Sequence, residues 1–145
     1  MAKSDNPLLL ENQLCFALYS SSLLMTKLYK PLLAEIGLTY PQYLAMLALW
    51  EEDGVTVGAL GERLYLDSGT LTPLLKRLET AGLLSRERNE ADERQVLVRL
   101  TGAGRALKRQ AAGIPKKVAV AAGMPLAEIV NLRKRLTNLR DTLAE

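Results

Sequence analysis

The stretch TVGALGERLYLDSGTLTPLLKRLETAGLL, residues 56 to 84, constrains the fold more than any other, because it sets two short helical patterns on either side of a very tight link. Thr56 is placed to cap the first helix, which buries Leu60 and Leu64. Asp67 or Ser68 caps the second, which buries Leu71, Leu74, Leu75 and Leu78. With Tyr65, Leu66 and Asp67 as the link, this is helix-turn-helix spacing. The second helix turns Ser68, Thr70, Thr72, Lys76 and Arg77 away from its leucine stripe, and all five are donors suited to phosphates or base edges. After Gly82 the apolar period falls to two: LLSRER, a polar NEADE tip, then RQVLVRLT with Val96, Val98 and Leu100 alternating against Leu97 and Arg99. A hairpin directly after a helix-turn-helix is a wing, and the pair points to DNA.

Helices flank this unit on both sides. From Leu8 to Leu33 the leucines Leu10, Leu14, Leu18, Leu24 and Leu28 recur at helical spacing, with Asn6 and Pro7 as cap and first turn. Pro31 is expected to break that helix near Lys30, and Gly37 to close a short second piece. Thr39 caps the next helix, which carries Leu44, Leu47, Leu49 and Trp50 to an EEDG stop, so three helices are expected before residue 55. Beyond Thr101, GAGRALKRQAAG and PLAEIVNLRKRLTNLRDTLA read as two more. The last has a narrow stripe of Ile129, Leu132, Leu136, Leu139 and Leu143, the pattern of a helix-packing seam. Both chain ends thus carry more apolar surface than one winged unit covers. The fold expected is mainly α with a small β wing, a winged helix-turn-helix dimerised through its N- and C-terminal helices. It forms one domain over 1–145, in which 1–36 and 102–145 supply the dimerisation helices and 37–101 the DNA-binding part.

Composition narrows the chemistry. The chain has no histidine and one cysteine, Cys15, which rules out an intrachain disulfide and leaves no basis for zinc sites, serine triads or cysteine–histidine pairs. No enzyme activity, metal or cofactor is expected. No apolar run is long enough to span a bilayer and MAKSDNPLLL lacks a secretory signal, so a cytoplasmic protein with no membrane partner is expected. Net charge is only +3, but residues 76 to 109 hold nine basic side chains against five acidic, whereas residues 1 to 55 hold three against six. A local basic element of this kind suits a polyanion.

The element order, with DERQVLVRLTGAGR closing the wing, resembles the MarR family of bacterial winged-helix repressors over nearly the whole chain. Within it, NQLCFALYS, LYKPLL, GLTYPQYLAMLALWE and LDSGTLTPLLKRLE resemble the organic hydroperoxide resistance regulators. The resemblance implies a homodimer that binds double-stranded DNA at an inverted repeat and represses a peroxide-detoxifying gene. Release occurs when an organic hydroperoxide oxidises the cysteine near the N-terminus, here Cys15. It also implies that two tyrosines of the partner subunit, at positions matching Tyr29 and Tyr40, bond the thiolate. Tyr19 shares the helix face of Cys15, one turn on. Arg94 is implied to enter the minor groove with Asp92 positioning it, and Arg86 joins the wing's DNA-facing set.

The chemistry of a sensor thiol agrees with this. Burial among leucines would raise its pKa, and with no histidine present, phenolic donors are the available means of favouring the thiolate. Leu14, Phe16, Leu18 and the leucines of residues 23 to 33 are expected to form an apolar surround that favours organic peroxides. Some members of the subgroup carry a second cysteine in the C-terminal region. This chain has none, so either a small cellular thiol is the partner of oxidised Cys15 or a second cysteine of a two-cysteine protein has been replaced here. The rival reading is a repressor released by reversible binding of a phenolic or aromatic ligand, with Cys15 incidental.

Overall fold

The caps that the sequence offers are made. The structure, a computed structural model, describes residues 5–145. Thr39 accepts from the Gln42 amide while the Gln42 side chain accepts from the Thr39 amide, a reciprocal capping box that opens α2 (Tyr40–Glu51). Thr56 Oγ1 accepts from Ala59 at the start of α3 (Val57–Leu64), and Asp67, rather than Ser68, caps α4 (Ser68–Thr80) through the Thr70 amide at 2.8 Å. Leu60, Leu71, Leu74, Leu75 and Leu78 are buried as expected, and Leu64 is half-buried. The turn between α3 and α4 is tight enough that a Cβ on Gly61 would stand 2.9 Å from the Leu66 carbonyl oxygen.

The wing is a hairpin of β2 (Leu84–Asn89) and β3 (Asp92–Leu100), turning at Glu90 and Ala91. A two-residue strand, β1 (Val55–Thr56), pairs antiparallel with β3 through Val55 opposite Val98 and Thr56 opposite Leu97, giving sheet order β1-β3-β2. The wing base is locked to the next helix, α5 (Gly102–Ala111). Thr101 Oγ1 donates to the Gly82 carbonyl and accepts from Gly104 in the first turn of α5, while Trp50 donates its indole N–H to the Gly104 carbonyl at 2.9 Å.

Three expectations are corrected. Pro31 does not break the first helix: α1 runs unbroken over Leu14–Ala34 with Pro31 inside it. Pro31 stands in the last turn, where its missing N–H forfeits one bond, and burial of Leu33 two residues on offsets a loss of that size, about 1.5–3 kcal/mol. Nor does the helix begin at Leu8. Asn6 caps only a local turn through the Leu8 amide, and the Asn12 and Gln13 side chains donate back to the carbonyls of Asn6, Pro7 and Leu9, leaving a 3-10 turn at Leu10–Asn12 before α1. Among the described residues, two α-helices therefore precede residue 55, not three. Finally, the C-terminal region holds α5, α6 (Ile114–Ala122) and α7 (Leu126–Leu143), one helix more than expected.

The chain divides into two compact units, one running to Ala111 and the other comprising Ala112–Glu145. The first holds the core of α2, α3, α4 and the sheet, with Met46, Leu49, Leu75 and Val98 fully enclosed. In the second, α7 buries none of its residues, and Leu126, Leu132, Leu136 and Leu143 are all exposed. No helix among the described residues is long and apolar enough to cross a membrane.

Candidate DNA interface and thiol site

Helix α4 owes its orientation to its leucines. With four of them buried, Ser68, Thr70, Thr72, Lys76 and Arg77 are left exposed on the opposite side, all five as the sequence suggests. Pro73, inside the same helix, cannot donate to the Gly69 carbonyl, and with Lys76, Arg77 and Thr80 it lines a shallow open depression. The face is polar, cationic and unobstructed.

The wing's charged residues divide into two kinds. At its tip Arg94 is 90% exposed, yet it is not loose: its Nε donates to Asp92 Oδ1 at 3.1 Å, a terminal nitrogen donates to Oδ2 at 3.3 Å, and its amide donates to Oδ1. These hydrogen bonds hold the Asp92 carboxyl below its ordinary pKa. A guanidinium held by both oxygens of a carboxylate is fixed in direction, which lowers the entropy lost when it meets a further partner. Arg86 is placed differently. Its guanidinium and its amide both go to the Glu79 carboxylate of α4, at 3.3 and 3.0 Å, and the same bonds depress the Glu79 pKa. Half-buried, Arg86 braces the wing against α4, and its partner could not be read from sequence because it lies on another element.

On α1, Cys15, Ser22 and Tyr29 recur every seven residues and so share a stripe of the helix. Leu33 is the one buried residue of α1 among those described, so the N-terminal half overhangs the core. There Cys15 is exposed, beside exposed Leu14, Phe16, Tyr19, Leu23 and Leu24. At the other end Tyr29 meets Tyr40 of α2, ring centroids 4.9 Å apart, and Tyr43, 5.7 Å away. Tyr43, only 3% exposed, had no sequence signal beyond lying three residues after Tyr40 on a helix. Cys15 and Tyr29 are separated by about 21 Å along α1, from the rise of about 1.5 Å per residue. The structure brings Tyr29, Tyr40 and Tyr43 together and leaves Cys15 apart from them within one chain, with only Tyr19 one turn away.

Desolvation, then the neighbouring Tyr40 and Tyr43, push the Tyr29 phenol from 10.0 up to about 12. Burial raises Tyr40 and Tyr43 too. Each phenol thus stays a hydrogen-bond donor across the neutral range. Because the folded pKa of Tyr29 exceeds the unfolded one, the stability it confers is complete below pH 10.0 and is lost as pH rises through about 12. Urea midpoints at about pH 9 and about pH 11 are therefore expected to show a smaller alkaline decline in Tyr29→Phe than in wild type.

The family profile described as transcriptional regulator SarA/Rot matches residues 27–111. The organic hydroperoxide resistance transcriptional regulator of Bacillus subtilis (strain 168) is 53% identical over 134 residues, covering 92% of this chain and 91% of that protein. Among solved structures, reduced AbfR bound to DNA is 38% identical with a TM-score of 0.77, covering 94% of this chain and 95% of that one; AbfR is a Staphylococcus epidermidis protein. Its disulfide-formed state, at the same 38% identity, has a TM-score of 0.67 and covers 94% and 93%. These are DNA-binding transcriptional regulators and not enzymes. With its winged helix-turn-helix and this degree of identity over nearly its whole length, the chain belongs to the MarR family of winged-helix DNA-binding transcriptional regulators, in the organic hydroperoxide resistance group.

Proposed function

We propose that this regulator is a homodimeric repressor that leaves its operator when an organic hydroperoxide oxidises Cys15. The observation that carries the reading is the separation of Cys15 from Tyr29 on one stripe of α1, about 21 Å by the helical rise. A thiol exposed on an uncovered apolar helix face and a tyrosine cluster on the same chain that cannot reach it are complementary halves of a site. A second copy supplies the missing half. Tyr29 and Tyr40 of the partner subunit then donate to the thiolate, with Tyr19 flanking it, and the leucines around Cys15 become an apolar surround. Exposed leucines on α7 offer a second face for the partner.

The thiolate sulfur attacks one peroxide oxygen. An S–O bond forms as the O–O bond breaks, the sulfur gives up two electrons, and the peroxide leaves as the alcohol after taking a proton. A small thiol then condenses with the sulfenic acid, forming a mixed disulfide and releasing water. In a closed apolar interface such an adduct overpacks, at a cost of about 1–3 kcal/mol or more. That drives the subunits apart and changes the spacing of their α4 helices. Reduced, DNA-bound AbfR is nearer this chain than disulfide-formed AbfR, which supports a fold whose backbone takes more than one arrangement.

On DNA, Ser68, Thr70, Thr72, Lys76 and Arg77 face the major groove of each half-site of an inverted repeat, and Arg94, held by Asp92, enters the minor groove. Arg86 acts at the interface through its brace on Glu79. The test is operator binding by reduced protein, repeated after cumene hydroperoxide with and without a small thiol, and again after a reductant. Binding lost on oxidation and regained on reduction supports the reading; indifference to peroxide refutes it. Arg94→Ala is expected to weaken binding and to lower the salt slope by about 1 per subunit.

A further inference from the structure

The register of the sheet runs past the end of β1. Val55 stands opposite Val98 and Thr56 opposite Leu97, so the same register would set Gly54 against Arg99 and Asp53 against Leu100. Strand β1 stops short of those pairs, because the backbone turns at Gly54, where φ is +71. Asp53 continues the ladder with its side chain instead. Its Oδ1 accepts from the Leu100 amide at 2.8 Å and from the Gly54 amide at 2.8 Å, the second bond fixing the carboxylate for the first. Leu100 is buried and is the last residue of the wing, so its amide needs an acceptor from the protein.

Leu100 is held at its carbonyl as well. Arg105 of α5 donates to that oxygen at 3.0 Å, and the same guanidinium stands 3.9 Å from Asp53 Oδ2. The wing therefore has two side-chain ties to the helices: Asp53 in line with β1, and Arg86 on β2 bonded to Glu79 of α4. With the order β1-β3-β2, these ties lie on opposite edges of the sheet. Two fixed points on opposite edges stop a hairpin from pivoting at its base, which the two residue pairs of β1 alone would do poorly.

We propose that Asp53 is a positioning residue for the wing, fixing the angle at which the hairpin leaves the helices and so the place that Arg94 reaches on DNA. This rests on the minor-groove contact of Arg94 proposed above. Arg94 lies about 20 Å from Leu100 along β3, at roughly 3.3 Å per residue, so Asp53 acts on it only through the strand. Helix α4 is oriented by its own buried leucines. Loss of the Asp53 carboxylate should consequently disable the wing contact and spare the major-groove contact.

The test is a double-mutant cycle on the full-length protein, with an inverted-repeat duplex selected by the wild type from a random pool. Arg94→Ala is expected to weaken binding by about tenfold in the wild-type background, and by less than about twofold, with no further change in salt slope, in the Asp53→Ala background. Asp53→Ala should keep the protection of major-groove guanines from dimethyl sulfate and lose the hydroxyl-radical protection of the minor groove. Asp53→Asn, which retains an oxygen able to accept both amides, should restore the dependence on Arg94 and the minor-groove protection. An Arg94→Ala effect of equal size in the wild-type and Asp53→Ala backgrounds would overturn the proposal, as would loss of major-groove protection in Asp53→Ala or an Asp53→Asn protein that behaves as Asp53→Ala. Failure of the wing contact itself is seen separately, as an Arg94→Ala protein that binds like wild type, and it removes the proposal with it.

Discussion

Cys15→Ser is expected to bind the operator as tightly as the reduced wild type and to stay bound at peroxide levels that release it. The wild type should lose about 10- to 100-fold in affinity on oxidation, the span of a typical coupling free energy, while the serine variant loses none. Serine keeps a hydrogen-bonding group of similar size on the exposed stripe of α1 but cannot be oxidised by a hydroperoxide. Because the two effects are coupled, operator-bound repressor should also form the thiol adduct less readily than free repressor. Electrophoretic mobility shifts paired with intact-mass measurement of each sample check both halves. Release of Cys15→Ser by cumene hydroperoxide would return the sensing to a non-thiol group, and release by an aromatic acid alone would favour reversible ligand binding.

The largest stability loss is expected from Gly104→Ala. A Cβ at this position would stand 2.0 Å from the Leu83 carbonyl oxygen and 3.0 Å from its carbon, both backbone, with Leu100 Cδ2 at 3.2 Å. Neither side can yield cheaply. The same Leu83 oxygen accepts from the Thr101 amide, and the Gly104 carbonyl is held by Trp50 from α2. The substitution should cost about 3 kcal/mol or more, at the upper end for overpacking, and uncouple the wing base from α5. Gly58→Ala is the contrast. Its Cβ meets nothing within 4 Å inside α3, so a gain of about 0.5 kcal/mol from helix propensity is expected. Urea denaturation of the two variants measures the difference directly.

The parts of this fold legible in the sequence are those written locally. Caps at Thr39, Thr56 and Asp67 need only a side chain and an amide three residues away, and the leucine spacing of α4 states which of its faces is buried. The winged helix is legible from the change of period at Gly82. What escaped was non-local or too short. Strand β1 is two residues long and shows no period; it exists because Val98 and Leu97 are opposite it. Helix α6 carries only Ile114 and Val118 as a buried pair, too few to stand out among alanines and lysines. Pro31 was misleading because its cost depends on how near it lies to the helix end and on what Leu33 buries, and neither is a property of the proline. At the site, the aim of Arg94 by Asp92 is a two-residue matter and was accessible, whereas the Arg86 brace on Glu79 and the packing of Tyr43 against Tyr29 depend on contacts between elements.

If Cys15 of one subunit works with the tyrosines of the other, mixed dimers will show it. One chain carries Cys15→Ser with its tyrosines intact; the other carries Cys15 with Tyr29→Phe and Tyr40→Phe. In the mixed dimer the one remaining cysteine shares a chain with phenylalanines and faces a partner with phenols. The measurement is the rate at which that thiol is oxidised by cumene hydroperoxide, compared with wild type and with the homodimer of the double-phenylalanine chain. Oxidation of the mixed dimer at the wild-type rate, with the double-phenylalanine homodimer slow, is the expected result. A mixed dimer as slow as that homodimer would contradict it, because the phenols would then have to act on the cysteine of their own chain.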